Sequence, residues 1–277
     1  MLKRQVHIGI SDLKSLLFAI KRHKGIDFTD YALSSLKWRV ENFMERFHFE
    51  NTDELLHKLI KDDDYFYQLF LKDILVDTTE LFRDPEFWIE LKKTILFRLK
   101  KHEQINILLP ECNSGEELHS LLILLKNEEL IDKANICVTS LSKLNVERIL
   151  QALLENKKME TNTANFEKVY ENGKITDFFD DKGRVFKLKP ELMNNVKVKE
   201  HNLLNDKTES KFHLIIYRNK TIYYNPQLKN KALNLLKEQL ITGGYIALGV
   251  KENLEYPGYE QEFSLASDSE KIYKKTI

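Results

Sequence analysis

Only two of the 277 residues are cysteine, Cys112 and Cys137, and they have no CxxC spacing. That excludes a disulfide framework, argues against a zinc site and suits a reducing compartment. Net charge is missing too. Lys plus Arg and Asp plus Glu both number 43, so no global field draws the chain to nucleic acid or anionic membrane, and charged recognition has to be local. No window approaches the roughly 18 apolar residues that span a bilayer. The apolar run near the start is broken by Asp12 and Lys14 and has no small-residue cleavage site, so it reads as an amphipathic helix. Repeats and low-complexity linkers are absent. What remains is a globular, cytoplasmic protein, whose 42% hydrophobic residues can fill a large α/β core and a smaller second one.

The first part is helical. Ser11 is the expected N-cap of a helix through His23, with Gly25 as its stop. A second helix over residues 31–47 places Leu33, Leu36, Val40, Phe43 and Met44 on one face, and Thr52 caps a third with Leu55, Leu56, Leu59 and Ile60. Lys37 and Arg39 read as a solvated face. Residues 77–88, DTTELFRDPEFW, break the helical pattern, and Pro85 suits the first turn of a helix running to about Lys100.

The stretch over residues 105–125, INILLPECNSGEELHSLLILL, reads as a buried strand, a polar turn with one glycine, and a helix. Such a junction lies at the carboxyl edge of an open α/β sheet, where helix N–H groups and a tight turn accept a nucleotide-like ligand. A single glycine excludes both a dinucleotide fingerprint and a lysine-bearing phosphate loop. Residues 136–139 read as a second strand and 144–154 as a helix, so a parallel sheet emerges. Residues 156–195 read as irregular around a hairpin at 180–189. Strands resume at 196–198, 212–217 and 245–250, with a helix from 228 to 240 stopped by Gly243-Gly244 and edge structure from 263 onward. The expected division is a helical domain over 1–76, a linker and connecting helix over 77–100, and an α/β domain over 101–277 with an insertion at about 172–196.

Five motifs in this order resemble the CheR-type methyltransferases, which use S-adenosylmethionine to methylate glutamate side chains of chemotaxis receptors. TELFRDPEFW (79–88) is similar to that family's TxFFRDP, ECNSGEELHS (111–120) to its GCSTGEEPYS, and HNLL (201–204) to its NLL segment. YRNKTIYY (217–224) is similar to its CRNVxIYF, and GGYIALGVKENL (243–254) to its GGYLxLGxSE strand. The resemblance implies a Rossmann-like S-adenosylmethionine-dependent methyltransferase domain with a helical N-terminal domain and a small inserted β-subdomain. It implies Arg83, Tyr223 and Arg218 as the reacting residues. Its cofactor contacts map to Asp77, Thr79, Arg83, Glu111, Asn113, Gly115, Glu117, Ser140, Asn202, Leu203, Arg218 and Asn219. Glu117 is expected to take the amino end of the cofactor, Thr79 and Arg83 its carboxylate, and Asn202 with Leu203 its adenine. Gly115 is expected to be glycine because a side chain would obstruct the ligand. The implied product is S-adenosylhomocysteine. The implied partner is an acidic or glutamine- and glutamate-rich helical receptor segment, with no nucleic acid, membrane insertion or metal.

The chemistry asks for little beyond alignment and exclusion of water, because a sulfonium methyl is already activated and a glutamate is ionised at neutral pH. An arginine fork and a tyrosine hydroxyl suit the acceptor carboxylate. The main departure is TSLS at 139–142, where the family has TDID, so Ser140 replaces the acid that accepts the ribose hydroxyls. Asp77 also stands for an asparagine and Glu111 for a small residue. Two readings follow: a carboxyl methyltransferase, or a non-catalytic relative serving as an interaction module.

Overall fold

The computed structural model describes residues 6–61, 64–75, 80–206, 208–256 and 258–277. Two compact units divide the chain, residues 1–76 with 220–231 in one and 77–219 with 232–277 in the other.

Four helices form the first unit: α1 (Ile10–Lys24), α2 (Leu33–Phe47), α3 (Thr52–Lys61) and α4 (Asp64–Ile74). Each buries a stripe at three- and four-residue spacing, such as Leu13, Leu16, Leu17 and Ile20 on α1 or Leu36, Val40, Phe43 and Met44 on α2. Phe43 meets Phe70 edge-on at 5.2 Å. The caps differ from expectation by one or two residues. Asp12 reaches back to accept the Gly9 N–H (3.1 Å), which starts α1 before Ser11, while Gly25 does end it at φ 73°. Asn51, not Thr52, caps α3, its Oδ1 accepting the Glu54 N–H at 2.9 Å. Arg39 is not simply solvated. Its Nη1 donates to the Ile74 carbonyl (3.0 Å), and its guanidinium lies 5.5 Å from the Tyr223 ring centre. Residues 220–231 belong to this unit through a Tyr31–Tyr224 bridge and the Ala32 N–H donated to the Tyr223 carbonyl (2.7 Å).

The second unit begins with α5 (Pro85–Glu90), which continues through a π turn (Leu91–Leu96) into α6 (Phe97–Leu99). Then come β1 (Ile105–Leu109), α7 (Glu116–Asn127), β2 (Ala134–Ser140), α8 (Lys143–Gln151), β3 (Leu153–Glu155), α9 (Met159–Val169), β4 (Phe179–Asp181), β5 (Val185–Leu188) and β6 (Val196–Glu200). They are followed by β7 (Phe212–Ile216), α10 (Pro226–Gln239), β8 (Leu240–Ala247), α11 (Tyr259–Glu262), β9 (Phe263–Ser267) and β10 (Ile272–Lys275). The main sheet has the order β6-β2-β1-β7-β8-β10-β9, parallel from β6 to β8 and antiparallel at β10 and β9. The order reverses between β1 and β7, which opens a crevice at their carboxyl ends.

Residues 156–195 are more regular than they read. Met159, Asn162, Phe166 and Val169 are the buried face of α9, and a small sheet of order β3-β5-β4 surrounds the expected hairpin. Its first strand, β3, occupies residues that the helical pattern of 144–154 had absorbed. β8 also starts earlier than expected, at Leu240, and runs through the glycine pair with a shift in register; Gly243, at φ 82°, supplies the left-handed residue that this bulge needs. Among the described residues no helix is long and apolar enough to cross a membrane.

Candidate functional site

The RDP turn comes first. Phe82 and Asp84 both have positive φ, 49° and 56°, an unfavourable state for a bulky phenylalanine. Packing and hydrogen bonds hold it there. The Phe82 N–H donates to Ser120 Oγ (2.8 Å), the Leu81 N–H to Asn162 Oδ1 (2.9 Å), and the Phe82 ring is clasped between Trp88 and Phe166. Trp88 Nε1 then donates to the Arg83 carbonyl (3.0 Å). The backbone of Arg83 is thereby fixed, while its side chain makes no hydrogen bond or ion pair among the described residues.

Arg218, two residues past β7, is 1% exposed. Its Nη2 donates to Asp84 Oδ2 (2.7 Å) and its Nη1 approaches Glu117 Oε1 (3.4 Å), with the guanidinium 3.9 Å from the Phe87 ring centre. Glu117, at the start of α7, is itself buried. The structure therefore brings Glu117, Arg218, Asp84 and the Arg83 carbonyl together. Arg218, expected among the reacting residues, is buried here against Glu117 and Asp84.

At the end of β2, Ser140 is fully buried and its Oγ donates to Asn113 Oδ1 (2.7 Å). A neutral serine–asparagine pair stands where an acid was expected. The Ser140 carbonyl accepts the His201 N–H (2.9 Å), which pins residues 201–204 beside it. There Asn202 folds back on its own turn, its Oδ1 accepting the Leu204 N–H (3.0 Å), and Leu203 is buried. Glu111 has φ 53° and accepts a hydrogen bond from Tyr217 Oη (2.5 Å). Gly115 has φ 100°, and a Cβ there would only touch His119 and Ile149 at 3.5 Å or more. The left-handed backbone conformation by itself favours glycine here. Tyr223 lies in the turn Thr221–Tyr223 of the helical unit. Asp77 and Thr79 lie outside the described residues.

Two residues escaped the sequence reading. Glu252, 2% exposed, accepts the N–H groups of Asn219 and Gly249, both at 2.7 Å, and so clamps the ends of β7 and β8. Asn219 sits there at φ 58°, and a Cβ on Gly249 would come within 2.6 Å of its Oδ1. The signal was present, since Glu252 ends the stretch matched to GxSE. His119 is the other. Burial holds its pKa down at about 4, and neither ring nitrogen has a hydrogen-bond partner among the described residues. The unfolded chain protonates this group near pH 6.5, while the folded protein resists until about pH 4. Stability is therefore expected to fall as the pH drops through that window, by about 1.4 kcal/mol per pH unit. Urea titrations at stepped pH would show it, and His119→Leu should flatten the dependence.

For an adenosyl-sulfonium cofactor, the buried Glu117 carboxylate suits the ammonium of the methionine end. The Ser140–Asn113 pair is a neutral hydrogen-bonding group at the end of β2. A mostly parallel sheet, a buried acid in the first turn of the helix after β1, and a turn pinned beside the end of β2 make up the carboxyl-end crevice of an α/β domain. Known proteins give the narrower assignment. The profile described as "CheR methyltransferase, SAM binding domain" matches residues 77–272, and "CheR methyltransferase, all-alpha domain" matches residues 11–75. The chain belongs to the CheR methyltransferase family. A Pseudomonas putida protein named Cher3 is 25% identical over 265 residues, covering 96% of this chain and 97% of that one. The chemotaxis protein methyltransferase of Listeria monocytogenes is 26% identical over 259 residues, covering 93% and 94%. That of Borreliella burgdorferi is 25% identical over 266 residues, covering 91% and 93%.

Proposed function

We propose that this protein transfers the methyl group of S-adenosylmethionine to glutamate side chains on a helical, acidic or glutamine- and glutamate-rich segment of a chemotaxis-type receptor, in the cytoplasm. The observation that carries the proposal is the RDP turn. It fixes the Arg83 backbone, whose carbonyl Arg218 Nη1 approaches at 3.4 Å, while the Arg83 side chain makes no hydrogen bond or ion pair among the described residues. The names of the relatives support the substrate class.

When bound, the cofactor supplies an activated sulfonium methyl. Glu117 takes its ammonium, Arg218 holds Glu117 in place, and Asn202 and Leu203 line the adenine. Asn113, Gly115, Ser140, Glu111 and Asn219 shape the remainder, and Thr79 and Asp77 keep the contacts that the resemblance gives them. Arg83 orients the acceptor carboxylate and offsets its charge, so no general base is needed. Tyr223 contributes a hydroxyl to the reaction.

Arg83→Ala is expected to lower methyl transfer to a receptor fragment roughly a hundredfold while leaving the melting temperature unchanged, because the side chain makes no bond among the described residues. Radiolabelled methyl transfer with a parallel melting curve checks this, and Tyr223→Phe should slow transfer in the same assay. Full activity of Arg83→Ala would remove the proposed role.

A further inference from the structure

Strands of a parallel sheet are normally covered on both faces. One face of the main sheet obeys this, with Val138, Ile107, Leu109, Leu214 and Ile216 in the core. The opposite face does not. Its paired row runs Lys197, Cys137, Leu108, Ile215 across β6, β2, β1 and β7, and a row nearer the strand starts pairs Asn135 with Asn106. Leu108 and Ile215 are buried, yet Cys137 is only half-buried, and Lys197 and Asn135 are exposed. The cause lies in the connections. Helices follow β1, β2 and β7, whereas the described residues between β6 and β7 form turn and coil.

The uncovered face is a concavity of about 590 Å³ at the amino-end half of the sheet, away from the crevice at the carboxyl ends. Lys197, Lys199 and Lys211 line it with Asn106, Asn135, Asn194 and Asn195, and no carboxylate is among its lining residues. The side chains of Lys197 and Lys199 make no hydrogen bond or ion pair among the described residues. The Asn106 N–H donates to His213 Nδ1 (3.1 Å), and beyond His213 a smaller hollow of about 130 Å³ is lined by Arg98, Lys101, His102 and Lys274, again without an acid. In a chain of balanced charge this is a local segregation of one sign.

We propose that this face binds a phosphorylated small molecule of mononucleotide size. The volume lies in the range of small-molecule sites. Lys197 and Lys199 supply point charges for phosphate, Lys211 Nζ already donating to the Glu238 carbonyl, and the donors and acceptors that the asparagine amides keep beyond their bonds to one another and to the backbone suit a base or sugar edge. An acidic peptide would satisfy the lysines equally, but it would leave the concave floor of amides unused.

Calorimetry with GMP and UMP tests this, on the whole protein and with saturating S-adenosylhomocysteine so that the cofactor crevice is filled. Inorganic phosphate and a glutamate-rich peptide form separate arms. At least one nucleotide should bind, phosphate should compete with it weakly, and Lys197→Ala/Lys199→Ala should weaken nucleotide binding at least tenfold without altering the melting temperature. Repeating the titration without S-adenosylhomocysteine keeps the result independent of the proposed methyl transfer. Absence of nucleotide binding at millimolar concentration, equal binding by the double variant, or binding of the peptide alone would each overturn the proposal.

Discussion

Replacing Arg218 by alanine is expected to cost about 3–5 kcal/mol of stability, the largest loss of any single side chain in the site. The guanidinium is 1% exposed and is the cationic partner of Glu117, which is itself buried. Removing it takes the cation away from that buried carboxylate, and it also takes away the packing on Phe87 and Trp88. Asp84 loses its hydrogen bond as well, but it is partly exposed and can recover much of that from solvent. Arg218→Lys should restore little, because one ammonium cannot span Glu117, Asp84 and the Arg83 carbonyl as a planar fork does. Urea unfolding followed by circular dichroism measures the difference. A loss below about 1 kcal/mol, the scale of an exposed ion pair, would show that the buried pair is not what holds the turn.

The second large effect is a gain. Ser140→Asp is expected to tighten S-adenosylhomocysteine binding ten- to a hundredfold for one recovered ribose hydrogen bond, and further if both form. A charge-assisted bond contributes about 1.5–3 kcal/mol, and each 1.4 kcal/mol is a factor of ten. Ser140 Oγ now donates to Asn113 Oδ1, so a carboxylate at this position would face an amide oxygen. The Asn113 side chain must turn its amide nitrogen toward the new acid, a rotation that offsets part of the gain. Calorimetry of the variant against the parent protein reads the outcome. An unchanged affinity would mean that the serine–asparagine pair is a rewired contact and not a weakened one.

The strands of the main sheet were legible because β1, β2 and β7 are short apolar runs between turn signals, and α7 and α10 are longer and periodic. α9 was not. Its buried face includes Asn162, a polar residue that accepts the Leu81 N–H, and its sequence METNTANFEKV is rich in residues usual in loops. The start of β8 was hidden by Gly243 and Gly244, which read as a stop but form a bulge inside the strand. At the site, the motifs located Arg83, Glu117, Ser140 and Arg218, yet not what each touches. Glu117 reads with Glu116 as an acidic pair at a helix start, and only the fold shows that Arg218, about a hundred residues later, lies against it. The GxSE match marks Glu252 as a residue but not its role, since its partners are backbone N–H groups that the sequence does not display.

The central claim is that the crevice at the carboxyl ends of β1 and β7 holds S-adenosylmethionine through Glu117. Calorimetric titration of S-adenosylhomocysteine into the protein and into Glu117→Gln tests it most directly, with melting curves to confirm that both are folded. The parent protein should bind, with the variant at least tenfold weaker. No detectable binding by the parent at millimolar ligand, or equal binding by a folded Glu117→Gln, would contradict the account.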